Sequence, residues 1–241
     1  MYRHLNHQHI VTTLGALGSR IGERFPGSGL SRVSGELLDV ANECGSRIDW
    51  LRRPHWPLRA GIAVVVLAIV ATAVAAARMV QVSTEADNVF NLLQGLDAAV
   101  NELILLAIAF YFLFSLEGRL KRREALRSLH QLRSIAHVID MHQLTKDPEA
   151  VLGPAASAPS SPQRTMTRLE LCRYLDYCSE LLSLISKLAA LHVQYLRDPV
   201  VLGAVNDVEE LTDGLSRKIW QKITILDRGA AKDGPEGQGA A

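Results

Sequence analysis

The residues whose type and setting could do chemistry are few. Arg78 and Glu102 are ionisable groups at the margins of two long apolar stretches. A charge left unpaired in hydrocarbon is costly, so each is a functional candidate by default, as an intramembrane ion pair or as an acidic ring at a pore mouth. The plainer expectation is that Arg78 snorkels to the headgroups and Glu102 stays in interfacial water. Cys44, Cys172 and Cys178 fall in predicted helices, and the last two are six apart, which gives neither a CxxC redox pair nor a zinc clip. They are expected to be reduced core thiols. His130, His137 and His142 surround Asp140. A metal site needs ligands converging from more than one element, and here only Asp140 and His137 share a helical spacing. A structural or pH-responsive role is therefore expected, with no metal and no cofactor. The chain carries no phosphate-cradling glycine loop, no GxSxG elbow, no HExxH and no Walker-type lysine, so no enzyme is expected.

The elements that would hold these residues are set by where the apolar residues lie. Among 241 residues 48% are hydrophobic and only 5% aromatic, while 26 Lys+Arg balance 25 Asp+Glu at a formal charge of +1. That balance excludes a nucleic-acid partner bound through bulk charge, and the apolar fraction excludes a wholly disordered chain. Between Arg59 and Arg78 run eighteen residues whose only polar side chain is Thr72. A helix of about 20 residues crosses the roughly 30 Å hydrocarbon core, so a first span is predicted over 58–80. A second is predicted over 98–116, whose fully apolar part is Leu103 to Phe114. Phe110, Tyr111, Phe112 and Phe114 read there as packing or lipid-facing residues.

The flanks orient the hairpin. Arg47, Arg52, Arg53 and Arg59 precede the first span, and Arg119, Lys121, Arg122, Arg123 and Arg127 follow the second, whereas the connector over 81–97 holds only Glu85, Asp87 and Asp97. The positive-inside rule then puts both termini in the cytoplasm, in the cell (inner) membrane, with Trp50 and Trp56 at the inner boundary. Ala68, Thr72 and Ala76 form a small-residue stripe suited to membrane-helix packing.

Outside the spans the apolar rhythm becomes periodic. An N-terminal region, 1–57, carries Ile10, Leu14, Leu17 and Ile21, then Leu30, Val33, Leu37, Val40 or Ala41, Cys44, Ile48 and Leu51. The second span is expected to continue as a cytoplasmic helix over 117–152, through Leu120, Leu126, Leu129, Leu132, Ile135 or Ala136, and Ile139. It should stop at Asp147-Pro148, where Asp147 caps a short helix ending at Gly153. A Pro/Ala/Ser-rich flexible linker, 153–166, leads to a helical hairpin over 167–227, opened by the capping box Thr167-x-x-Glu170 and turned at Asp198-Pro199. The first helix of that hairpin carries Leu171, Leu175, Cys178, Leu182, Ile185, Ala189, His192 and Leu196, with a parallel row from Tyr177 to Tyr195. Two adjacent heptad rows make a face wider than a dimer seam, so a multi-helix bundle is expected and this face is the candidate interaction surface. The second helix carries Val201, Val205, Val208, Leu211, Leu215, Ile219, Ile223 and Leu226, and a disordered tail follows over 228–241.

These readings combine into an all-α membrane protein. A two-helix transmembrane hairpin continues into a cytoplasmic antiparallel, coiled-coil-like bundle that binds itself or a protein partner. The alternative is an oligomeric channel or transport subunit with the second span lining the pore and Glu102 at its outer mouth.

Overall fold

The computed structural model describes residues 4–52, 56–82, 89–146, 148 and 166–232. Six helices account for most of them: α1 (His7–Arg24), α2 (Gly29–Arg52), α3 (Trp56–Val82), α4 (Val89–Leu144), α5 (Arg168–Tyr195) and α6 (Pro199–Lys232). No strand occurs among the described residues. The chain divides into two compact units, Met1–Arg52 with Glu124–Ala241, and Arg53–Arg123.

The first unit is a five-helix bundle, and local chemistry sets each boundary. Asn6 caps α1 by accepting from Gln8 N at 2.9 Å. Gly27 sits at φ +68°, the left-handed conformation that turns the chain from α1 into α2. Thr167 and Glu170 form the expected reciprocal capping box at the start of α5. Asp198 Oδ1 accepts from Val200 N at 2.9 Å and Val201 N at 3.2 Å, opening α6. The carbonyls left at the end of α4 find a cation from another helix: Lys222 Nζ donates to Gln143 O at 2.8 Å and Lys146 O at 3.2 Å.

Contacts between helices give the topology. His7 lies over Gly45, and Phe25 packs edge-on against Tyr174 and Tyr177. Gln194 meets Leu5, and Arg20 meets Glu180, so α1 runs antiparallel to both α2 and α5. Arg47 meets Glu124 while Gly29 lies beside His142, so α2 is antiparallel to the part of α4 in this unit. The α5–α6 pair is the most extensive contact, and α5 also touches α1 and α2. Its position explains its two rows: Leu175, Cys178, Leu182, Ile185 and Ala189 are buried, and so are Tyr177, Leu181, Leu184, Leu188 and Leu191. Leu14, Leu17, Ile21, Leu37, Leu132, Ile139, Val205 and Ile219 complete one continuous core. Each such leucine or isoleucine contributes about 1.5–3 kcal/mol by leaving water.

The second unit is different in kind. Val64, Leu67, Val70, Leu103, Ile104, Leu105, Ile108, Tyr111 and Phe112 are exposed on α3 and α4. Among the described residues one helical stretch, Val100–Leu144, contains a window long and apolar enough to cross a membrane, and Ala63–Thr72 is a shorter apolar stretch. The two-span expectation thus meets one such stretch. Helix α4 begins at Val89, inside the predicted connector, and α6 continues to Lys232, into the predicted tail. Residues 83–88, most of the linker, Asp147 and the short helix ending at Gly153 lie outside the described residues.

Candidate functional site

In the second unit Glu102 is exposed on α4, and Ala68 and Thr72 are exposed on α3. Thr72 Oγ1 donates to Ala68 O at 2.8 Å and Ile69 O at 2.9 Å, so its hydroxyl is satisfied along its own helix. The side chains of Arg78 and Ala76 lie outside the described residues, and with them the proposed pairing of Arg78 with Glu102.

The predicted interaction face of α5 lies inside the bundle. Leu171, Leu175, Cys178, Leu182, Ile185, Ala189 and His192 are all buried, and Leu196 is partly buried against the same core. Periodicity identifies an apolar face but not what covers it, and here the chain's own helices cover it. Any surface offered to a partner must therefore be assembled from other residues.

A groove lies between α4 and α6. Arg133 of α4 faces Asp207, Glu210, Leu211, Gly214, Leu215 and Lys218 of α6 around a cavity of about 430 Å³. Its floor is apolar, from Leu211 and Leu215, and its walls carry charges of both signs. A Cβ added at Gly214 would meet nothing within 4 Å, so the glycine leaves the groove open.

The second notable cluster surrounds Arg47. Its guanidinium reaches Glu43 at 2.9 Å, Glu124 at 3.2 Å and the Gln131 side chain, joining α2 to α4. One helical turn away Cys44 Sγ lies 3.1 Å from Ser128 Oγ, both fully buried. Burial pushes the Cys44 thiol up, only partly offset by the Ser128 hydroxyl, and burial pushes the Cys178 thiol up to about 12. Neither supplies a thiolate at neutral pH, so neither is an activated nucleophile. His192 is fully buried, with Nδ1 3.1 Å from Leu188 O. Its Nε2 has no partner among the described residues.

The histidine trio does not converge. His130 and His137 are exposed, whereas the His142 ring lies against Gly29. Among the described residues no group of three His, Cys, Asp or Glu could hold a metal ion. No family model, curated protein or solved structure matches the chain.

Three features were not read from the sequence: the Arg47 junction, the α4–α6 groove, and the seating of His7 and His142 on Gly45 and Gly29. The last had a visible signal. Glycine inside a helical pattern costs about 1 kcal/mol against alanine and often marks a close approach. The other two depend on which helices become neighbours.

Proposed function

We propose that the chain is a noncatalytic integral membrane protein. Its two apolar helices form a hairpin with both termini in the cytoplasm, and its bundle mediates self-assembly or binding of a protein partner. The observation that carries the reading is the contrast between the two units. One encloses its apolar residues in a continuous core, whereas the other exposes Val64, Leu67, Leu103, Ile104, Leu105 and Phe112 on α3 and α4, the latter holding a stretch long and apolar enough to cross a membrane. Side chains of that kind are at rest in lipid, not in water. The charge asymmetry of the flanks supports the orientation. Because the broad face of α5 is enclosed, the binding surface proposed is the α4–α6 groove.

Cross-linking in native membranes tests this reading. An adduct with a second copy or a partner is expected, and Gly214→Arg, whose Cβ meets nothing within 4 Å and whose longer side chain would occupy the groove, should abolish it. A strictly monomeric, partnerless protein would sink the proposal. The channel reading draws on the exposed carboxylate of Glu102 at the edge of the apolar part of α4. It requires ion flux from reconstituted protein that is lost in Glu102→Gln, and a silent bilayer removes it.

A further inference from the structure

We propose that the end of the bundle formed by Trp50, Arg127, Arg197 and the first turn of α6 docks on the headgroup surface of an anionic lipid bilayer. The inference rests on the membrane reading above and adds a second site of lipid contact, outside the spans.

Side-chain contacts define which residues share this end. Gln194 Oε1 accepts from Leu5 N at 3.0 Å, joining the end of α5 to the start of α1. His7 Nε2 lies 2.7 Å from Ala41 O, joining that start to the last third of α2. Arg47 joins α2 to Glu124, where α4 enters the unit. Helix α6 starts at Pro199, only two residues beyond Arg197. The opposite end holds the Phe25–Tyr174 contact, His142 on Gly29, and Lys222 on the α4 carbonyls.

This end has the composition of an interface with lipid. The first turn of α6 is Pro-Val-Val-Leu with no acidic residue, although a helix N-terminus favours acids. Val200 is 49% exposed and Leu202 46%, at the outset of a helix whose other aliphatic residues mostly face the core. Trp50 is 38% exposed and lines a recess of about 390 Å³ with Ser46, Arg47 and Glu124. Indole rings beside arginines are the usual furnishing of the headgroup layer. The carboxylates here are mostly engaged: Glu43 and Glu124 bind Arg47, and Asp198 binds the α6 amides. Arg127 and Arg197 stay exposed, as does the acid Asp49 next to Trp50. In the sequence, Arg52 at the end of α2 precedes Trp56, the start of α3, by four residues.

The three tryptophans make the test. Trp56 begins α3, Trp50 marks the proposed contact, and Trp220 lies near Lys222 towards the opposite end, about 30 Å away along α2 at 1.5 Å per residue. Full-length single-tryptophan proteins, with the other two changed to Phe, are placed in nanodiscs of phosphatidylcholine and phosphatidylglycerol with brominated acyl chains. Bromine should quench Trp56 and Trp50 and spare Trp220. Val200→Asp with Leu202→Asp, both at exposed positions, should release Trp50 from quenching while Trp56 stays quenched. Arg127→Ala and Arg197→Ala should each lower the docked-to-free ratio by roughly five-fold, and only when phosphatidylglycerol is present. Quenching of Trp56 without Trp50 would overturn the docking while the membrane reading stands. Failure to quench either would overturn both. Quenching of Trp220, or a Trp50 signal indifferent to the Asp pair, would also overturn it.

Discussion

At the scale of the residue, His192 and two glycines carry the sharpest expectations. His192 is buried and held below the ordinary histidine pKa, chiefly by burial, with its backbone hydrogen bonds opposing and the nearby Arg47 adding to the depression. The unfolded chain therefore takes up a proton near pH 6.5 that the folded chain refuses, and stability falls as pH drops through that value towards the folded pKa. His192→Phe should flatten the loss of Tm between about pH 7 and pH 5, read as the difference from the native protein. Parallel curves would show that this imidazole does not titrate on unfolding. The glycines divide by surroundings. A methyl group at Gly45 or Gly29 would collide with the His7 or His142 ring, whereas one at Gly203 or Gly214 would meet open space. Gly45→Ala and Gly29→Ala should be less stable than the other two by roughly 1 kcal/mol, since a His ring must swing aside in each. Gly203→Ala and Gly214→Ala should stabilise by roughly 0.5–1 kcal/mol through helix propensity. Denaturant unfolding of the four variants would measure the contrast, and equal effects of one sign would refute it. Glycine's unsuitability for a helix was legible in the sequence; the ring lying on it was not.

At the scale of the element, boundaries and buried stripes were legible because they depend on neighbours in the chain. The set Leu30, Val33, Leu37, Ala41, Cys44, Ile48 and Leu51 is buried as its spacing predicts, and so is Ile10, Leu14, Leu17 and Ile21. Leu120, counted in the periodic stripe of the fourth helix, is instead 42% exposed. The stripe becomes buried only from Ala125, where α4 enters the bundle. The caps of α5 and α6 are local hydrogen bonds, and the types Thr167, Glu170 and Asp198 already specify them. Thr167→Ala and Asp198→Ala should each cost about 1 kcal/mol, as for other capping side chains. Chemical denaturation gives the value, and a loss below a few tenths of a kcal/mol for Asp198→Ala would mean that Pro199 alone starts the helix. Lys222 at the end of α4 is the counter-example, since its partners lie on a helix far away in sequence.

At the scale of the whole molecule, the proposed topology yields one direct expectation. In a chain whose three native cysteines are replaced by alanine, Ser83→Cys should react with a membrane-impermeant maleimide on intact cells. Ser157→Cys should react only after the cells are opened. Reversal of that pattern would remove the cytoplasmic placement of both termini, and labelling of both on intact cells would remove the hairpin. What the sequence determined by itself were properties carried by short stretches of chain: helical periodicity, capping, an apolar excess of spanning length, and charge at its flanks. They are legible because a hydrogen bond to the next turn, or transfer of a side chain out of water, depends little on remote residues. The tertiary structure decided what covers each apolar face. It enclosed both rows of α5 among α1, α2 and α6, withdrew the expected interaction face from the surface, and left a groove between α4 and α6 in its place. The physical reason is that burial is not directional. Apolar spacing states that a face must leave water, and only the packing of all the helices together selects its partner.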